Sequence, residues 1–407
     1  MKEHAYFDNA ATTWPKPESV YEFMDAFFRS HGVNPGRSGS LLALEAEQMI
    51  SQTRSMLGEF FNFSGASSRV VFSLNGTDAL NQAIAGLVGP GDHIVTTRLE
   101  HNAVLRTMNH LARDSALDVT QVGPNRAGYV DPDDIRAAIN KKTRAIVLNH
   151  ASNVIGTVQP LSNVAQIARE NGIPLIVDAA QTAGVLPIDM DGSGIAVLTF
   201  PGHKGLFGPM GVGGMIVSES IDIAPSRFGG TGVDSLSAYQ PDAYPYRLEA
   251  GTVPLPGIAG LHAAQHWFKD LGKRMLESDG HTSADSLKHR QYCVRAMAHI
   301  HDTELSHIVQ IEQTLKKYPS VKILGEPRHD ARVATMSFVV DGLSTELISD
   351  QLDADHHICA RAGLQCAPLV HVDAGTAEGG TIRLSPGYFT DEEDMQQLLQ
   401  ALDDILS

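Results

Sequence analysis

Short runs of β-branched and aliphatic residues recur along the first two thirds of the chain. Each is followed by a longer stretch in which apolar positions return every three or four residues. SRVVFSL (68–74) precedes TDALNQAIAGL (77–87), DHIVTT (92–97) precedes NAVLRTMNHLARD (102–114), and TRAIVLNH (143–150) precedes LSNVAQIAREN (161–171). IPLIVDAA (173–180) and IAVLTF (195–200) add two further runs. A run that is apolar at every position suits a strand covered on both faces, and the 3.6-residue period suits a helix laid over it. The pattern therefore predicts an α/β fold with a mostly parallel central sheet. Near Pro254 the rhythm changes to a long helical stretch, from about 258 to 318, broken by ESDGHTSADS. ARVATMSFVV, STELISDQLDAD, ICARAG, TIRLSPG and the closing EEDMQQLLQALDDIL then read as a smaller α+β domain, with the boundary near residue 260.

Length supports this division, because 407 residues exceed what one apolar core usually serves. A net charge of -16 argues against nucleic acid or an anionic membrane as partner, since both need a basic face. Three cysteines are too few for a disulfide framework and suit a reducing compartment. No run is apolar enough for a signal peptide or a bilayer span, so a cytoplasmic protein is expected.

Three features fall at strand ends on one edge of the expected sheet, the edge where open α/β folds bind ligands. In SLNGTDALN, residues Asn75, Gly76 and Thr77 lie between a strand and a helix start. There, unpaired backbone N–H groups and the helix dipole favour an anion such as phosphate, although Asn75 or Thr77 could equally cap the helix. In IVDAAQT, Asp178 ends a strongly apolar strand. Its half-buried anion needs a cation, which a protonated pyridine nitrogen or an arginine would supply. In FPGHKGLFGPMGVGG, Lys204 stands among glycines that would leave room for a flat ring. A lysine in such a pocket, beside another cation, loses its proton readily and can condense with an aldehyde. A phosphate cup, an acid for a ring nitrogen and an amine for an aldehyde together match the three handles of pyridoxal 5'-phosphate.

These segments, together with YFDNAATT, NPGRSGS, LEHNA, SNVIGT, LEAGT, RAGLQCAP and IRLSPGYFT, give a chain that resembles the class V aminotransferases over nearly its whole length. Within them it is similar to the cysteine desulfurase and selenocysteine lyase group. The resemblance implies the aspartate aminotransferase-like fold, type I of the pyridoxal phosphate enzymes. Residues 1–20 would join a small domain of 261–407, and 21–260 would form the large cofactor domain. It further implies that Lys204 carries the cofactor as a Schiff base, that Gly76, Thr77 and His203 hold its phosphate, and that His101 stacks on the ring and moves protons. Asn153 and Gln181 would meet the ring hydroxyl, and Asp178 the ring nitrogen. Thr252 would reach the phosphate of a neighbouring subunit, implying a homodimer with shared sites. Arg383, helped by Asn34, would grip the substrate carboxylate, a task suited to a planar guanidinium.

Cys366 separates the possible reactions. By the same resemblance it would take sulfur from L-cysteine, releasing alanine and leaving a persulfide for an acceptor protein. A selenocysteine lyase, or another class V lyase, epimerase or aminotransferase with Cys366 incidental, is the alternative. Two positions depart from the pattern. Leu364 and Gln365 stand where such loops often carry histidines, and Pro201 stands where a hydroxyl residue commonly assists the phosphate. His356, His357, Cys359, Cys366 and His371 invite a metal reading. His356 and His357 are adjacent in a strand-like stretch and face opposite ways, so no metal site is expected.

Overall fold

The computed structural model of the protein describes residues 4–36, 39–280, 287–325 and 331–407. Arg37 and Ser38 of the NPGRSGS motif lie outside them, as do residues 281–286 of the expected helix break.

The first strand, β1 (Ala5–Tyr6), pairs far from its neighbours in sequence. The next seven form one sheet: β2 (Val70–Ser73), β3 (His93–Thr97), β4 (Asp118–Val122), β5 (Thr143–Asn149), β6 (Leu175–Asp178), β7 (Val197–Pro201) and β8 (Gly213–Val217). Their order is β2-β8-β7-β6-β5-β3-β4, with β8 antiparallel to both neighbours and the remaining pairs parallel. The α/β expectation with a mostly parallel sheet therefore holds. Two apolar clusters cover the sheet, one built around Ile146, Leu148, Val177 and Leu198, the other around Ala145, Val147, Ile176 and Val197. Consecutive residues of β5, β6 and β7 thus alternate between the clusters, so these strands read as unbroken apolar runs. The antiparallel β8, GGMIV, was not expected from the alternation of strands and helices. It follows β7 through the Lys204 loop, a connection too short for a parallel crossover.

A second sheet of four antiparallel strands follows the long helices Leu255–Ser278 and His289–Leu315. It contains β9 (Val321–Leu324), β10 (Met336–Val340), β12 (Arg361–Gly363) and β13 (Thr381–Leu384), and lies beside the short β11 (Ile358–Cys359). Its own apolar cluster joins Met336, Phe338, Ile382 and Leu384 to Leu398 and Leu402 of the last helix, Glu392–Leu406. Ala5 and Phe7 belong to that cluster, and β1 pairs in parallel with β11 (Ala5↔Ile358, Tyr6↔Cys359). The opening segment is thereby fixed against the smaller sheet and runs from there towards the ends of the larger one. No helix among the described residues is long and apolar enough to cross a membrane.

Candidate active site

Five segments leave the same edge of the large sheet. Asn75–Thr77 follow β2, His101 follows β3, Asn153 follows β5, Asp178 ends β6, and His203–Lys204 follow β7. Together with Gln181, Arg361, Gln365, Cys366 and Arg383 they line a cavity of about 310 Å³, the scale of a small-ligand site. The structure thus brings ten of the sequence-predicted residues to one cavity. It does not bring Asn34 or Thr252 there. Those two line a separate cavity of about 300 Å³ beside Arg54 and Glu249.

Lys204 is half-buried, and loss of water around its amine is the largest influence pressing its ammonium down to about 8. Arg383 and Arg361 push in the same direction, while Asp178 and Asp8 oppose them. Its backbone is gripped from the opening segment: Thr13 Oγ1 donates to the Lys204 carbonyl at 3.1 Å, and Thr12 Oγ1 to the His203 carbonyl at 3.1 Å. Lys16, a residue the sequence reading passed over, also reaches the His203 carbonyl, and burial brings its ammonium down to about 7. The glycines around Lys204 do not serve as expected. A Cβ at Gly205 would lie 2.6 Å from the Ala183 carbonyl oxygen, and one at Gly213 would lie 2.7 Å from the Asn75 carbonyl carbon. Neither glycine lines the cavity. They let the loop pack against the protein's own backbone, and the room for a ring comes from elsewhere.

Asp178 is fully buried, and burial raises its carboxyl above the ordinary range, against an N–H from Ala180 at 2.9 Å and the nearby Lys204 charge. Behind it, Glu100 is also buried and raised to about 8, with its Oε1 accepting from Thr97 Oγ1 and from the Asn149 N–H. His101 caps the helix Asn102–Ser115: its Nδ1 accepts the Ala103 N–H at 3.0 Å. That bond puts the proton of the neutral ring on Nε2. Burial, with Lys204 second, lowers the ring to about 4, so it is neutral near pH 7. Asn75 caps the helix Gly76–Ala85 through Asp78 N–H at 2.9 Å, leaving the first N–H groups of that helix without intrahelical partners.

Arg383 is 1% exposed and forms an ion pair with Asp8. It also donates from Nη1 to the Asn153 carbonyl at 2.9 Å. Among the described residues its Nε, Asn153 Oδ1 and His203 Nδ1 are buried polar atoms without a partner, and all three belong to cavity-lining residues. Such atoms cost free energy unless a ligand completes them. Cys366 Sγ lies 3.9 Å from Arg361 Nη2, so a thiolate there has a cationic neighbour. Asp8 and Gln365 were missed as site residues. Asp8 stood within the quoted YFDNAATT, but its partner lies 375 residues away.

An amine close to neutrality, a buried carboxylate, a helix start able to take an anion, a guanidinium and a thiol thus face one space. Among known proteins, the chain is similar to one from Methanothermobacter thermautotrophicus described as "Probable cysteine desulfurase", 29% identical over 411 residues and covering 100% of this chain and 95% of that one. A protein from Dictyoglomus turgidum described as "Cysteine desulfurase IscS" is 28% identical, with 100% and 95% covered. The apo structure of a cysteine desulfurase from Thermococcus onnurineus superposes with a TM-score of 0.86 at 26% identity, covering 99% of this chain and 95% of that one. The model of the family described as "Aminotransferase class-V" matches residues 5–291 and 291–398. The chain belongs to the class V aminotransferase family.

Proposed function

We propose that the protein is a pyridoxal 5'-phosphate-dependent cysteine desulfurase. The observation that carries this reading is Cys366 lining the same cavity as Lys204 and Arg383. The relatives named above are described as desulfurases and support it. The donor set also suits the cofactor: Lys204 is a desolvated amine with a lowered pKa, Asp178 is a buried carboxylate with room for a cation, and Asn153 and His203 hold polar atoms awaiting partners. Gly76 and Thr77, at a helix start, with His203, would hold the phosphate. Pro201 contributes no N–H there.

When bound, the cofactor supplies an electron sink for the substrate's α-carbon. The chain's residues do the rest. Arg383 takes the substrate carboxylate with its unpartnered Nε, while Asp8 and the Asn153 carbonyl fix the fork in place. Lys204, neutral once its proton is shed near pH 8, moves the α-proton. His101 keeps a proton on Nε2. The Cys366 thiolate attacks the substrate sulfur: the S–S bond forms, the Cβ–S bond breaks, and the released electron pair takes a proton to give alanine. Arg361 lies beside the attacking thiolate.

A homodimer with shared sites completes the reading, with Thr252 and Asn34 serving the neighbouring subunit's cavity. The persulfide then passes to an acceptor, a step compatible with a cytoplasmic setting. Adding L-cysteine to the loaded enzyme and measuring alanine and sulfide tests the proposal. Cys366→Ala should abolish alanine formation. Unchanged cysteine turnover in that variant would make Cys366 incidental and favour a different class V reaction, and a preference for selenocysteine would redirect it to lyase chemistry.

A further inference from the structure

The turn that carries Cys366 is held in an unfavourable shape. Gln365 and Cys366 have φ of 40° and 59°, left-handed values that residues with a Cβ seldom adopt, and here two of them are consecutive. Such a turn persists only where its surroundings enforce it. The surroundings converge on Gln365, whose residue is 4% exposed. Its Nε2 donates to the Thr381 carbonyl at 2.9 Å, and its Oε1 accepts from Thr381 Oγ1 at 3.3 Å. The Gln365 carbonyl accepts from Asn153 Nδ2 at 2.6 Å, and the Cys366 carbonyl from the Asn102 N–H at 2.7 Å.

These bonds tie the thiol to the rest of the chemistry. Thr381 lies two residues before Arg383 on β13, and β12 pairs with that strand in the register Gly363↔Thr381 and Arg361↔Arg383. Asn153 joins the same network from the large sheet, because its carbonyl accepts from Arg383 while its amide donates to Gln365. We propose that Gln365 is the positioning residue for the sulfur-accepting thiol: its buried amide locks the Cys366 turn to the strand bearing the carboxylate-binding Arg383. The position at which the sequence departs from a histidine thus carries an anchoring function, and Arg361 supplies the charge beside the sulfur.

This inference rests on the desulfurase reading, and its test separates the two. Gln365→Leu removes the amide's bonds to Thr381 and its weaker one to the Arg361 carbonyl, and the milder Thr381→Val removes only the hydroxyl end. In the loaded enzyme Gln365→Leu should lower kcat for alanine formation by about tenfold to a hundredfold, the scale expected for ångström misplacement of a reacting group. KM for L-cysteine should hold within about twofold, because Arg383 keeps Asp8 and the Asn153 carbonyl. Thr381→Val should show the same split, reduced. Independently of turnover, iodoacetamide should alkylate Cys366 faster in both variants as the turn relaxes. An unchanged kcat and alkylation rate would overturn the proposal. So would a fall in kcat that merely tracks loss of bound cofactor in both variants, since that is a structural effect. If the unaltered protein makes no alanine from cysteine, the desulfurase reading fails, while the alkylation rates still decide whether Gln365 clamps the turn.

Discussion

At Lys204 two influences compete. Burial and the guanidiniums of Arg383 and Arg361 favour the neutral amine, whereas Asp178 and Asp8 favour the ammonium, and burial prevails at about 8. Cofactor capture by the cofactor-free protein should therefore accelerate about tenfold per pH unit below pH 8 and level off above it, as followed by stopped-flow absorbance. Asp178→Asn removes an influence that raises the lysine, so the curve should move to lower pH. A rate that stays flat from acid to alkaline pH would contradict both statements. The same shift bears on stability. The unfolded chain binds more protons than the folded one between about 8 and the ordinary 10.5, so this residue's contribution rises with pH through that window and is lost as pH falls through 8. His101 makes a contrasting prediction. Its ring is neutral above about pH 4, so His101→Ala should lower alanine formation by about a hundredfold without changing the shape of the profile between pH 5 and 7. Lys204, Asp178 and Cys366 were legible in the sequence because each stands in a short motif at a strand end or loop. Asp8 and Gln365 were not, because their importance lies in partners that no local pattern names: a guanidinium 375 residues away for one, the backbone of a neighbouring strand for the other.

Strands β5 to β7 were legible for a simple reason: they are buried on both faces, and a short apolar run can do little else. Strands β1 and β8 were not, one having two residues and the other opening on glycines. A helix interior can carry charge as well. The helix Leu41–Phe60 brings Arg54 to Glu249, three residues before Thr252, with Nη1–Oε1 at 2.7 Å and Nη2–Oε2 at 2.8 Å. Glu249 Oε1 also accepts the Phe72 N–H at 2.6 Å, and the guanidinium lies 4.5 Å over the Phe72 ring. The pair is buried, so removing one partner leaves a charge without compensation. Arg54→Met should cost about 3–5 kcal/mol in urea denaturation, and Arg54→Met combined with Glu249→Leu should recover much of that loss. If the double variant is as unstable as the single one, the cost lies in packing and the charge argument fails.

Between β8 and the helix Leu255–Ser278 the chain runs largely without regular structure and presents Phe228, Leu236 and Tyr239 at 72%, 101% and 86% exposure. Apolar side chains left this open suit burial against a second copy of the chain, and in the shared-site dimer proposed above Thr252 and Asn34 would reach that copy's site. Sedimentation should give a dimer, and Leu236→Glu should weaken it. Subunit mixing provides a stricter check. A hybrid of a Lys204→Ala chain and a Thr252→Ala chain retains one site with both residues intact. Random re-pairing should therefore restore about a quarter of full activity, and a mixture no better than its parents would rule out sharing. The join of β1 to β11 and of Asp8 to Arg383 has a further consequence for how the protein is made. At about 5–20 residues per second, the 375 residues between Asp8 and Arg383 take about 20–75 s to synthesise. From the moment Lys204 is made until Arg383 follows, the newborn chain has its nucleophilic amine but lacks the wall that shelters it, so vitamin loading belongs after the last strand has emerged.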